Sequence, residues 1–126
     1  MISVQTFKGK CHCGAIEFEV STEEGLQGLR RCDCSLCRRK GVIMATALLS
    51  DFTVTAGEDK LSLYRWNTRV AKHYFCSICG IYTHHQRRSN PNEFGFNVAC
   101  IEGLDLAKLG EVETTDGKGS SLVDQQ

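Results

Sequence analysis

The sequence predicts a mostly β domain, and three observations carry that reading. Short runs alternate apolar and polar residues, as in Ala15-Ile16-Glu17-Phe18-Glu19-Val20 and Leu61-Ser62-Leu63-Tyr64-Arg65-Trp66. A period of two is the mark of a half-buried strand. Glycine recurs along the chain and cuts it into pieces of strand length, while proline occurs once, at Pro91. Two cysteine turns, Cys11-His12-Cys13-Gly14 and Cys76-Ser77-Ile78-Cys79-Gly80, each lie between two such pieces. Many short strands joined by regular turn signals argue for antiparallel sheets rather than helices. A length of 126 residues suits one domain with a single modest core.

Taken in order, residues 4–8 read as a first strand and residues 11–14 as a tight turn. Residues 15–20 return as a second strand, making a hairpin with a cysteine tip. Residues 22–28 read as a loop, and 29–31 as a short strand leading into Cys32. Residues 35–40 can form one helical turn. The apolar run 41–49 has strand length and no polar face, so burial on both sides is expected. Residues 52–55 are a short strand, 57–59 a turn and 61–66 an alternating strand. Residues 70–75 enter the second cysteine turn and 81–85 leave it. Residues 94–99 are the last core strand, and 104–109 can hold a short helix. From 114 to 126 the chain is polar and rich in Gly and Ser, and poor order is expected there. One domain over residues 1–126 is the resulting organisation.

Formal net charge is zero, so no global field favours a nucleic-acid or membrane partner. No stretch approaches the ~20 apolar residues of a membrane span, and the first ten residues lack the apolar run of a signal peptide. A cytoplasmic protein is expected. In a reducing compartment, eight cysteines are read as metal ligands before disulfides.

Cys11 and Cys13 sit at one hairpin tip, and Cys76 and Cys79 at another. Each pair runs straight into glycine, Gly14 or Gly80. A knuckle folds the backbone so that N–H groups point at the thiolates, and glycine takes the positive φ this needs. Two such knuckles from distant parts of the chain make a Cys₄ zinc site that staples the hairpins together. The plain alternative is free buried cysteine, a small hydrophobe. Four of them around two glycine turns fit that poorly.

Cys32-Asp33-Cys34-Ser35-Leu36-Cys37 is different. Three sulfurs at this spacing can meet on one metal ion, and no fourth ligand follows in sequence. A structural zinc site is closed by four protein ligands, whereas a catalytic one keeps an open position. This stretch is therefore read as the active centre. Arg38, Arg39 and Lys40 follow at once. They either bind a substrate carboxylate and balance a thiolate-rich site, or form a solvated face. Cys100 is read as an ordinary buried cysteine, with a thiol near the open centre as the alternative. His12 is expected to point to solvent. His84 and His85 must face opposite ways on a strand, and either can line the open centre as an acid, a base or an outer partner of the ligands.

Four blocks now stand in order: G-K-C-H-C-G-A-I-x-F at residues 9–18, C-D-C-S-L-C-R at 32–38, Y-F-C-S-I-C-G at 74–80, and R-S-N-P with F-x-x-N-V-A-C-I-E-G across 88–103. Together they resemble the glutathione-dependent formaldehyde-activating enzyme family, which also includes centromere protein V. The resemblance covers nearly the whole chain except the tail. It implies a β-tent of small antiparallel sheets, a structural zinc on Cys11, Cys13, Cys76 and Cys79, and a second zinc on Cys32, Cys34 and Cys37. It also implies carbon–sulfur lyase chemistry that joins glutathione to formaldehyde. Two zinc ions per chain and a small thiol partner such as glutathione follow, with Cys32, Cys34 and Cys37 carrying the reaction as ligands and Arg38 and Arg39 as candidates for the substrate's carboxylates. The rival reading is a zinc-stabilised binding module, without chemistry, in which a fourth side chain closes the second site.

Overall fold

A computed structural model describes residues 4–23, 25–65, 71–87 and 90–115. The strands are β1 (Gln5–Lys10), β2 (Glu17–Thr22), β3 (Gln27–Cys32), β4 (Met44–Leu48), β5 (Phe52–Ala56), β6 (Leu61–Tyr64), β7 (Lys72–Cys76), β8 (Tyr82–Gln86), β9 (Glu93–Asn97) and β10 (Glu113–Thr115). One α-helical stretch, α1 (Ser35–Lys40), joins β3 to β4. Two sheets result, in the orders β1-β2-β5 and β10-β3-β4-β9-β8-β7-β6. Pairing is antiparallel throughout except between β10 and β3. The protein is mostly β, built of antiparallel sheets, as the alternation of its sequence requires.

Burial follows the alternation. On β2, Phe18 and Val20 are buried and Glu17 is exposed. These two side chains meet Phe52 of β5, Ala45 and Ala47 of β4, and Phe96 of β9 in the main core between the sheets. Phe18 stacks on Phe52 at 4.9 Å and meets Phe96 edge-on at 6.4 Å, geometries that aromatic rings prefer. β4 is buried on both faces, as its unbroken apolar run predicts. Ala45 and Ala47 face the main core, while Met44 faces a second cluster with Cys34, Cys37, Val42 and Tyr82. A third small cluster gathers Cys11, Ile16 and Cys76.

Some boundaries differ from the sequence reading. β3 begins at Gln27, inside the expected loop, because Gln27 pairs with Thr46 of β4. The expected helix over 104–109 is a single 3₁₀ turn, Leu106–Leu109, with Asp105 accepting from the Ala107 N–H at 3.0 Å. Poor order was expected from Thr114 onward, but Glu113–Thr115 form β10 and take the parallel register Thr115↔Cys32. The expected strands at 61–66 and 70–75 are found as β6 and β7, and their ends at 66–70 lie outside the described residues. So do residues 88–89 and the tail from 116.

β8 carries a bulge that decides the site. Phe75 pairs with Tyr82 but Tyr74 pairs with His84, so Thr83 is the extra residue. Alternation is broken there, as in any bulge. Tyr82 and His85, three apart, come to the same face. His84 goes to the other, against Phe52 at 4.6 Å and Tyr74 at 4.7 Å. Burial brings the His84 imidazole down to about 4. An unfolded histidine keeps its ordinary value near 6.5, so the unfolded chain binds the extra proton first as pH falls. Stability from His84 is thus present above pH 6.5 and lost between there and about 4, up to roughly 3 kcal/mol. His84→Phe is expected to flatten the fall of melting temperature between pH 6.5 and 4.5 relative to the parent. Parallel melting curves across that window would refute this.

Candidate metal centres

The first centre lies where the two sheets meet. The β1–β2 turn supplies Cys11 and Cys13, and the β7–β8 turn supplies Cys76 and Cys79; all four sulfurs lie within 4.8 Å of one another. Cys13 Sγ is 3.6 Å from Cys11 Sγ and 3.7 Å from Cys76 Sγ. Gly14 and Gly80 take φ of 81° and 80°, the left-handed turn that the knuckle needs. Backbone N–H groups then aim at sulfur. Ile16 donates to Cys11 Sγ at 3.3 Å, and Ile78 and Cys79 donate to Cys76 Sγ at 3.4 and 3.5 Å. Donors fixed by the backbone favour thiolate over thiol. All four cysteines are free of disulfides. Four converging sulfurs, with N–H groups already turned toward two of them, suit a tetrahedral thiophilic ion. His12, between Cys11 and Cys13, is exposed, as expected.

The second centre is local. Cys32 ends β3, Cys34 caps α1 and Cys37 lies in its first turns; their sulfurs also lie within 4.8 Å of one another. Cys34 Sγ accepts from the Cys37 N–H at 3.3 Å, an N-cap made by sulfur. Gly41 closes the far end through its N–H to Cys37 O at 3.0 Å. β10 holds the entry, where the Asp33 N–H donates to Thr115 O at 3.2 Å. Hydrogen bonds from Cys34 and Cys37 hold the Cys32 thiol far below its ordinary value, while hydrogen bonding to Cys32 and then to Cys34 pushes Cys37 up. Hydrogen bonding within the group thus eases loss of the Cys32 proton and opposes loss of the Cys37 proton. A cation at the centre must displace those protons, so its affinity rises with pH. Among the described residues no fourth His, Cys, Asp or Glu atom joins this group.

The wall of this centre was legible only in part. Arg38 and Arg39 are exposed, and Arg39 Nη1 donates to Ser35 O at 2.9 Å on its own helix. Lys40, third in the basic run, turns inward. Its Nζ lies 3.7 Å from the Tyr82 ring centroid and 3.1 Å from His73 Nδ1. His73 stacks on His85 at 5.1 Å, and the Tyr82 hydroxyl lies 2.6 Å from His85 Nδ1 and 3.3 Å from Gly95 O. Gly95 is needed here, because a methyl group on it would overlap the His85 ring and crowd Arg30 Nη2 at 3.0 Å. Burial, then the Lys40 charge, brings His73 down to about 3, so its Nδ1 stays free to accept. His85, hydrogen-bonded to Tyr82, thus lies on the side of the second centre and His84 does not. His73 and Tyr82 carried no sequence signal of their own. The bulge at Thr83 and the pairing His73↔His85 bring them together. Cys100 is buried in the main core, its thiol pushed up to about 12 by that burial, with Sγ 3.8 Å from Tyr82 O. It belongs to neither sulfur group.

Comparison with known proteins adds three findings. Residues 6–113 match the sequence profile of a family described as glutathione-dependent formaldehyde-activating enzyme. A Halomonas elongata protein, provisionally named for the same activity, is 31% identical over 80 residues, which are 57% of this chain and 50% of that protein. The chain thus spans about half the length of that curated relative. The crystal structure of a Rhodobacter sphaeroides protein, a structural genomics target, is 60% identical with a TM-score of 0.82, over 86% of this chain and 99% of that one.

Proposed function

This chain belongs to the glutathione-dependent formaldehyde-activating enzyme family, and from that premise we propose that it joins a glutathione-like thiol to a small aldehyde, or reverses that addition, as a zinc-dependent carbon–sulfur lyase. The observation that carries the reading is the second centre, with three sulfur donors on one segment and no fourth among the described residues. A zinc ion held by Cys32, Cys34 and Cys37 would supply an open position at which a thiol sulfur is kept as thiolate. The first centre, with four sulfurs, would be structural.

The chain's own residues then have definable tasks. The second cluster, with Val42, Met44 and Tyr82, walls the centre with low-dielectric surface, which strengthens any charge interaction inside. Exposed Arg38 and Arg39 stand beside the centre on α1, and a guanidinium fork matches the carboxylates of a glutathione-like peptide. In the addition, the sulfur lone pair forms the S–C bond and the C=O π pair moves to oxygen. The proton released by the thiol is balanced by one taken up on that oxygen, so no further reactant is required.

Zinc-supplied protein is expected to carry two ions per chain, and mild chelation to remove the ion from the three-sulfur centre first, because fewer protein ligands hold it. Glutathione should bind the two-ion form and fail to bind the one-ion form. Metal analysis that never exceeds one ion, or equal glutathione affinity in both forms, would sink the proposal. A module with a closed second site would retain both ions together and ignore thiols.

A further inference from the structure

Resting on that reading, we propose that Lys40 is the counter-charge for the substrate thiolate at the three-cysteine centre, and that His73 is the positioning residue that keeps it there. A dication against three thiolates leaves one net negative charge, and a fourth thiolate makes two. Buried charge of one sign is costly unless a fixed opposite charge faces it. Lys40 is placed for that task. It ends the helix that Cys34 caps and that carries Cys37 one turn earlier. The ammonium has three donors. One is spent on His73 Nδ1 at 3.1 Å, and the Tyr82 π face lies 3.7 Å away. Tyr82 belongs to the same cluster as Cys34 and Cys37, so the ring under the ammonium is part of the wall of that centre. Arg30, a buried cation nearby, commits its Nη1 to Gly28 O at 2.9 Å and Thr46 Oγ1 at 2.6 Å.

His73 acts on Lys40 and not on sulfur. It is clamped from behind by the His85 ring, which the Tyr82 hydroxyl holds in turn.

The consequence is a preference for an anionic ligand in the open position. The probes are 2-mercaptoethanol, whose only charge when bound is its sulfur, and imidazole, which is neutral; both are titrated by calorimetry into zinc-loaded full-length protein. Lys40→Met is expected to weaken 2-mercaptoethanol at least about tenfold, as one lost charge at short range should, while imidazole stays within about twofold and zinc remains at two ions. Lys40→Arg should restore part of the loss, and His73→Phe should give a smaller loss of the same selectivity. Unchanged thiol affinity in Lys40→Met overturns the role of Lys40, as does an equal loss for both probes or a fall to one ion. Parent protein that binds imidazole but no thiol overturns the thiol reading itself, which separates the two failures.

Discussion

Cys76→Ser protein is expected to be insoluble or unfolded. Cys76 is 0% exposed and accepts two backbone N–H bonds on its sulfur. Its centre joins the β1–β2 turn of one sheet to the β7–β8 turn of the other, so its loss removes one tie between the layers and leaves the main core as another. Serine does not replace it: the hydroxyl stays protonated at neutral pH, and its oxygen sits closer to the backbone than sulfur does. Structural zinc contributes on the order of 10–16 kcal/mol in small peptides, against a net domain stability of about 5–15 kcal/mol. Losing about half of that contribution would already be comparable with the whole net stability of a small domain. Soluble yield, far-ultraviolet circular dichroism and zinc per chain are the measurements. A soluble Cys76→Ser protein melting within a few degrees of the parent would show that the first centre does not hold the fold.

Cys37→Ser should behave in the opposite way. It also removes a buried ligand, at 7% exposure, but from a segment already held at both ends. β3 pairs with β4 and β10 on one side, and Gly41 closes α1 through a backbone bond that the substitution does not touch. The expected cost is that of an ordinary buried substitution, about 1–2 kcal/mol, or roughly 4–12 °C in melting temperature for a domain near this size. Zinc should fall from two ions to one, and glutathione binding should be lost. The division into a structural and a functional centre fails if Cys37→Ser is the more destabilised of the two, or if it keeps the parent's thiol affinity. Read together, the two substitutions separate what the metal does for the fold from what it does for a ligand.

The sequence by itself determined the fold class, the two cysteine knuckles and the local three-cysteine group, because each depends on short-range information, whereas the meeting of Cys11 and Cys13 with Cys76 and Cys79 is a long-range contact that the folded sheets supply. Period-two alternation fixes which face of β2 is buried without reference to any partner strand. C-x-C-G and C-x-x-C-G fix a local backbone path that points N–H groups at sulfur, and the three cysteines from Cys32 to Cys37 converge because one turn of α1 returns the chain on itself. The tertiary structure alone decided the surroundings of the second centre. Arg38, Arg39 and Lys40 read alike in sequence, and only the packing of α1 against Tyr82 turns Lys40 inward and leaves the arginines outside. Alternation alone puts His84 and His85 on opposite faces, but the one extra residue on β8 decides that Tyr82 shares the face of His85. His73 meets His85 through strand register. β10 escaped notice because three polar residues become a strand only where β3 offers them an edge. Bulges, register and edge pairing depend on contacts between residues far apart in the chain, and no local pattern encodes them.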